Sequence, residues 1–286
     1  MNAPGAGFWR AVDDRIAEAS EAGVLCPITT SSSQVDDGGI RFTVHVLGAA
    51  RRKLAALGDQ RRSRGNPFLD PPPELCVDAL SPTHLLVLNK FPVLDRHLLI
   101  VTRDFEAQTD PMSRHDFAAL GACLQRAEGL CFFNSSAVAG ASQEHKHLQL
   151  VPLPIGFGPG KTPIEHLLDG VPAGSVQRVP ELGFAHAVQR RSAPSSWLDP
   201  DRLRRVFSTL HEAVCERRPG HPFNLLVTRD WMMVVPRRCE HFAGISVNAL
   251  GFAGSLLVSD RDQLDRVRRA GPLAVLASVA GLQSAP

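Results

Sequence analysis

Two stretches constrain the fold of this chain more than any other: LLVLNKFPVLDRHLLIVTR at 85–103 and FNLLVTRDWMMVVPR at 223–237. Each sets two short apolar runs on either side of a break rich in turn formers, the pattern of a β-hairpin. The first pairs 84–88 with 97–102 around Asn89, Lys90 and Pro92; the second pairs 224–227 with 232–235 around a turn at TRDW. Two hairpins of like texture in one chain point to a duplicated architecture.

The remaining segments read as helices, strands and connectors. Phe8, Val12, Ile16 and Ala19 recur at helical spacing and predict a helix over 8–21. A Ser/Asp/Gly loop over 29–39 leads into an alternating strand at 40–47. Residues 59–73 hold an arginine cluster and NPFLDPPP, which must be loop because consecutive prolines donate no ladder hydrogen bonds. The arginine runs at 51–53 and 61–64 read as solvated surface. Ser113 with Asp116 three residues on is an N-cap signal, and Phe117, Leu120, Leu124 and Ala127 carry that helix towards Leu130. A short apolar edge at 131–133 is followed by a small-residue loop at 134–143 and a strand at 145–152. A Gly/Pro-rich connector fills 154–180, and Leu203, Val206, Leu210 and Val214 predict a helix over 201–217.

Composition narrows the class. With 44% hydrophobic residues among 286, the chain can bury a sizeable core as one large domain or two small ones. Lys+Arg 31 against Asp+Glu 29 leaves a formal charge of +2, too balanced for nucleic-acid binding by bulk electrostatics. No basic, then apolar, leader opens the sequence, and the longest nearly apolar stretch, 270–282, falls short of the roughly 20 residues a membrane span needs. Six cysteines without a C-x-x-C pair fit neither a zinc site nor a disulfide framework. A cytoplasmic, soluble protein is expected. Only four basic residues are lysines, namely Lys53, Lys90, Lys146 and Lys161, and each is a position where a compact ammonium group could matter.

The chemistry concentrates in 145-HKHLQLVP. On a strand of period two, His145, His147 and Gln149 share one face while Lys146, Leu148 and Leu150 take the other. Gly140, Ala141, Ser142 and Gln143 just before it are small enough to let backbone N–H groups approach an anion. Imidazole is a competent nucleophile towards phosphorus, and Gln149 could donate to a non-bridging oxygen without titrating. A metal-binding pair is the other use of two such histidines, but no third ligand is visibly arranged with them. The other histidines, His45, His84, His97, His115, His166, His186, His211, His221 and His241, read as ordinary core or surface residues. The segment 156-GFGPGKT lacks the spacing of a P-loop, and Pro159 lacks the N–H a phosphate cradle uses.

The H-x-H-x-Q motif, with FFNSSAVAGASQE before it, resembles the transferase branch of the histidine-triad superfamily. LSPTHLLVLNKFPVLDRHLLIVTRDFEAQTDP, GASQEHKHLQLVPLP, NLLVTRDWMMVVP and GISVNALGFAGSLLV, in that order over 66–282, resemble the ATP adenylyltransferases, or diadenosine tetraphosphate phosphorylases. The resemblance implies an α+β histidine-triad-like fold, mainly antiparallel sheet with helices, duplicated as an intrachain pseudo-dimer: an N-terminal catalytic unit over 1–192 and a C-terminal unit over 193–286.

It also implies a two-step nucleotidyl transfer. His147 would attack the α-phosphorus of a dinucleoside polyphosphate and expel ATP; inorganic phosphate would then take AMP from the histidine to give ADP. The backbone carbonyl of His145 would orient the nucleophile and Gln149 would serve the reacting group. Lys53, Asn89, Lys90, Asn134, Gly140, Ala141, Ser142, Gln143, Asn248, Ala249 and Leu250 would contact substrate, while Ser255 and Ser259 stand where relatives can carry methionine and lysine. No protein-held metal is implied; a divalent cation, magnesium, would arrive with the substrate, and a monomer is expected. Glutamine at 149, where histidine-triad hydrolases carry a third histidine, favours transfer to phosphate over water. The alternatives are a sugar-1-phosphate nucleotidyltransferase, a dinucleoside polyphosphate hydrolase and a non-catalytic nucleotide-binding protein.

Overall fold

The computed structural model describes residues 5–48, 65–157, 160–192, 197–215 and 220–281. Lys53, the arginine runs and Pro159 lie outside them, as does the end of the helix expected to reach 217.

One eight-stranded sheet organises the molecule. Its strands are β3 (Cys76–Asp78), β4 (His84–Leu88), β5 (Leu98–Thr102), β6 (Gly129–Asn134), β7 (His147–Pro152), β8 (Ala187–Arg190), β9 (Phe223–Val227) and β10 (Trp231–Pro236). They lie in the order β3-β4-β5-β7-β6-β9-β10-β8, and every pairing is antiparallel. Both expected hairpins form, β4 with β5 and β9 with β10. The β6–β9 ladder joins two unequal parts into one surface, with the five strands β3 to β7 on one side and β8, β9 and β10 on the other; β8, at 187–190, belongs with the second hairpin although it precedes residue 193.

The segment at 131–133, expected as a short apolar edge, is the middle of β6, which lies inside the sheet between β7 and β9. All six of its residues are buried: Leu130 and Phe132 face one core, Cys131 and Phe133 the other. A strand covered on both faces has no polar alternation to read.

Helices α1 (Ala6–Glu21), α2 (Arg114–Arg126) and α4 (Pro200–Val214) cover one face, packing Phe8, Val12, Phe117, Leu120, Leu203 and Leu210 onto Leu148, Leu150 and Met232. Ser113 caps α2 in a complete capping box with Asp116, but the helix stops at Arg126 rather than reaching Leu130, because Gly129 already belongs to β6.

The opposite face is covered by a three-stranded sheet, β1 (Ser31–Asp37), β2 (Ile40–Val46) and β13 (Ser255–Val258), with α6 (Arg261–Ala270) and α7 (Pro272–Val279). β1 occupies residues expected to be loop. It has few apolar side chains because it is a mostly exposed edge strand; Gly38 and Gly39, both at positive φ, make the two-residue turn that pairs it with β2. The 154–180 connector is also not featureless: a short α3 (Glu165–Leu168) seats Ile164 and Leu168 in this second core. The small pair β11 (His241–Phe242) and β12 (Ile245–Ser246) leads into a one-turn α5 (Ala249–Phe252).

Candidate active site

β7 starts at His147, two residues later than expected; His145 precedes it and makes an isolated bridge to Ala107. The alternation still holds. His147 and Gln149 open into a cavity of about 320 Å³ walled by Phe68, Pro71, Leu75, Val87 and Leu99, with Asn89, Lys90, Ser142 and Gln143 at its polar side.

His147 is held at both its ring and its backbone. Its Nδ1–H donates to the carbonyl of His145 at 2.9 Å, which leaves the Nε2 lone pair as the free end of the ring. Its backbone N–H donates to Oε1 of Gln108 at 2.8 Å, and Nε2 of the same buried amide donates to the carbonyl of Asn134 at 2.6 Å. Gln108, which nothing in the sequence pattern singled out, thus fixes the start of β7 against the end of β6. Burial lowers the pKa of His147 to about 4, against the opposing effect of the His145 carbonyl. The ring is therefore neutral at neutral pH, with Nε2 unprotonated.

Two Asn-x-Phe turns set the tautomers of the neighbouring histidines. The Phe68 N–H donates to Oδ1 of Asn66, so Nδ2 of that amide must donate to Nδ1 of His145, at 2.8 Å. His145 Nε2 then carries the proton and donates to the Thr102 carbonyl at 2.8 Å. His145 thus stands behind His147, in edge contact with Phe68 and Phe105.

The second turn repeats the device. The Phe91 N–H donates to Oδ1 of Asn89, whose Nδ2 donates to Nδ1 of His97; Nε2–H of His97 donates to Oε1 of Gln149 at 2.9 Å. Each step follows from the one before because a backbone N–H can only donate. The Gln149 amide is thereby turned with its NH₂ away from His97, available to an oxygen of a bound ligand. His97, expected to be an ordinary histidine, is a positioning residue for Gln149; it sits just before β5, two residues from Leu99, the register partner of Gln149 on β7, a placement visible only with the strand order.

The small-residue loop departs from its expected use. The N–H groups of Gly140 and Ala141 close the turn onto Ala137 and Ser136, while Ser142 and Gln143 line the cavity. Gly140, at φ +92, is glycine because a Cβ would lie 2.8 Å from the Val247 carbonyl and 3.0 Å from Cα of Asn248. Gly140→Ala is expected to cost about 1–3 kcal/mol, read as a lower urea midpoint with unchanged m.

Asn134 lines neither cavity. It is a buried tie: its Oδ1 accepts from Nδ2 of Asn224 and from the Ala249 N–H. Asn248 and Gly140 instead face a second cavity of about 340 Å³, with Ser255, Ser259 and Gln263. Asn248 also caps α5 by accepting from the Leu250 N–H, and Leu250 is buried among apolar side chains. Residues 140–143 therefore run from one cavity to the other. Lys146, on the opposite face of β7, is buried against Glu106 and Asp116; Lys161 pairs with Glu128 and Asp230.

The family model described as the Ap4A phosphorylase N-terminal domain matches residues 2–170, more than half of the chain. This chain belongs to the Ap4A phosphorylase family. A second model, the ATP adenylyltransferase C-terminal domain, matches residues 180–281. The Ap4A phosphorylase assignment agrees with two Saccharomyces cerevisiae relatives. Diadenosine 5',5'''-P1,P4-tetraphosphate phosphorylase 2 is 29% identical over 232 residues, 71% of each chain. Protein APA1 is 29% identical over 205 residues, 64% of this chain and 63% of that one. The crystal structure of yeast Ap4A phosphorylase Apa2 in complex with Ap4A has the same fold, with a TM-score of 0.81 at 24% identity, covering 96% of this chain and 98% of that one. Both halves of this phosphorylase-family chain are thus matched, and the α+β, mainly antiparallel architecture is shared.

Among the described residues no helix is long and apolar enough to cross a membrane, all six cysteines are free, and no group of three or more His, Cys, Asp or Glu could hold a metal.

Three buried histidines, His97, His147 and His186, have pKa values pushed down to about 4, chiefly by burial. Their ordinary value is near 6.5, so the unfolded chain takes up protons between pH 6.5 and 4 that the folded chain refuses. Stability should therefore fall as the pH drops through that window, by about 1.4 kcal/mol per histidine per pH unit at most. Chemical denaturation from pH 7 to 4 measures it; a flat profile would contradict the neutral assignments.

Proposed function

We propose that this enzyme phosphorolyses dinucleoside polyphosphates, diadenosine tetraphosphate foremost, to ADP and ATP through a nucleotidyl-histidine. The observation that carries the reading is the tautomer of His147: Nδ1–H is committed to the His145 carbonyl, so the Nε2 lone pair stands at the cavity wall beside Gln149. Nε2 attacks the α-phosphorus, the bond from that phosphorus to the bridging oxygen breaks, and ATP leaves. An oxygen of inorganic phosphate then attacks the same phosphorus, the P–N bond breaks and ADP is released; the sequence of steps also runs in reverse.

In the intermediate His147 carries AMP on Nε2 and its proton on Nδ1, and the His145 carbonyl accepts that proton's charge-assisted hydrogen bond. The Gln149 NH₂ donates to a non-bridging oxygen as negative charge spreads. Asn89, Lys90, Ser142 and Gln143 hold the nucleotide entering the first cavity; the polyphosphate passes along 140–143 towards Asn248. The cavity beside His147 offers one carboxylate, Asp70, with the amides of Asn89, Gln143 and Gln149 and the hydroxyl of Ser142, too few hard donors for a protein cage around magnesium. The ion would be carried by the phosphate oxygens of the substrate and neutralise their charge. The chain would act as a monomer in the cytoplasm, both halves of the sheet being present in one copy.

Product analysis on diadenosine tetraphosphate with magnesium tests this reading. ADP and ATP formed only when phosphate is present are expected. AMP and ATP formed without phosphate would make water the acceptor and overturn the role given to Gln149; cleavage of a uridine diphosphate sugar instead would point to the sugar-1-phosphate class.

A further inference from the structure

Arg237 is the least expected side chain in the second half. It follows β10, is fully buried, and fans six hydrogen bonds. Nη1 donates to the Asn224 Oδ1 at 2.6 Å and to the carbonyls of Val247 at 2.9 Å and Ala139 at 3.1 Å. Nη2 donates to the carbonyls of Cys239 and Glu240, and Nε to that of Val279 at the end of α7. Phe252 closes over it at 5.4 Å.

Every acceptor in that fan is uncharged. The acidic groups whose charge reaches Arg237 are Cys239 and Glu240, but the Cys239 thiol donates to the carbonyls of His241 and Ser278, the Glu240 carboxylate is turned to the Ser246 hydroxyl and His241, and among the described residues Arg237 has no ion pair. Burial lowers its pKa to about 10, still leaving it cationic at neutral pH. A buried charge without a counter-charge is costly, and a fan of carbonyls solvates it without neutralising it.

The position of this charge is specific. Two of its acceptors, Ala139 and Val247, flank the contact where Gly140 meets residues 247–248, and Gly140, Val247 and Asn248 line the second cavity. The guanidinium is thus one peptide behind the cavity wall, on the low-dielectric side where a charge is felt most. We infer that Arg237 is a positioning residue whose missing counter-charge is supplied by the ligand: it fixes the joint between the 137–140 turn and residues 247–248, and favours the phosphates beyond the one next to His147. The inference rests on the phosphorylase reading above, which places those phosphates along 140–143, and it assigns Arg237 no contact with substrate.

The test compares AMP, α,β-methylene-ADP and α,β-methylene-ATP, which cannot transfer AMP to His147, binding to the full chain by calorimetry without divalent cation. In the native chain affinity should rise with each added phosphate. Arg237→Met should weaken the ATP analogue by about tenfold or more and AMP by less than about twofold, tenfold being about 1.4 kcal/mol. Arg237→Lys, which keeps the charge but not the fan, should lose thermal stability while retaining the preference for the longer phosphate chain. Should Arg237→Met not fold, Arg237→Gln removes the charge while keeping an amide donor for the fan and should reproduce the selective loss.

Equal weakening of AMP and the ATP analogue in Arg237→Met or Arg237→Gln would mean a purely structural role and overturn the inference. So would an unchanged ATP analogue, or a native chain that binds AMP and gains nothing from further phosphates. A native chain that bound none of the three would overturn the phosphorylase reading itself, and the inference with it.

Discussion

Replacing His147 by alanine is expected to lower kcat for phosphorolysis by about 10⁴-fold or more, with the fold intact. Neither neighbouring imidazole can take over: His145 spends Nε2–H on Thr102 and has Nδ1 occupied by Asn66, and His97 is bonded at both nitrogens. The loss should be accompanied by the disappearance of AMP bound covalently to the protein after mixing with labelled substrate without phosphate. In the native enzyme the acid limb of kcat/KM set by this group should lie near 4 rather than 6.5, because burial keeps the ring neutral. Retained covalent AMP in His147→Ala would assign the nucleophile elsewhere.

The second large effect is expected one strand away. His97→Phe should lower kcat by about 10²-fold, the scale for losing one oriented donor at a reacting centre. Phenylalanine fills the buried site but cannot donate to Gln149 Oε1, so the amide no longer has a reason to present NH₂ to the ligand. KM for the dinucleotide should change much less than kcat, since the walls of the cavity stay in place. Gln149→Ala should produce a similar loss, and the double variant should add little to either single one. Full additivity of the two losses, or a change confined to KM, would mean that His97 acts on something other than Gln149.

How far the sequence revealed this site depended on which interactions are local. The H-x-H-x-Q alternation is a property of one strand, so the shared face of His147 and Gln149 was visible at once, as were both hairpins and the cap at Ser113. The partners of those residues were not. Gln108 reaches His147 across 39 positions, His97 reaches Gln149 across 52, and Asn224 reaches Asn134 across 90. Such pairs depend on strand order, which periodicity does not encode. β1 failed for another reason: an exposed edge strand need not carry apolar side chains, and only Gly38-Gly39 signalled it. Gly140 was recognised as a close approach, but its neighbour is the second half of the chain at Val247 rather than a ligand.

The unequal join at β6 and β9 also determines how products are counted. A closed assembly of two identical subunits repeats every residue, so a reactive group on one would recur on the other. Here five strands lie on one side of that join and three on the other, and the H-x-H-x-Q motif of β7 has no counterpart on β10, the strand at the corresponding place across the join, which reads WMMVVP. A ligand with two equivalent ends can enter such an asymmetric groove either way round and is still cut once, next to the same imidazole. On the route proposed above, each encounter divides it into one short piece retained on the protein and one long piece released, a stoichiometry set by the topology rather than by any choice between the ends.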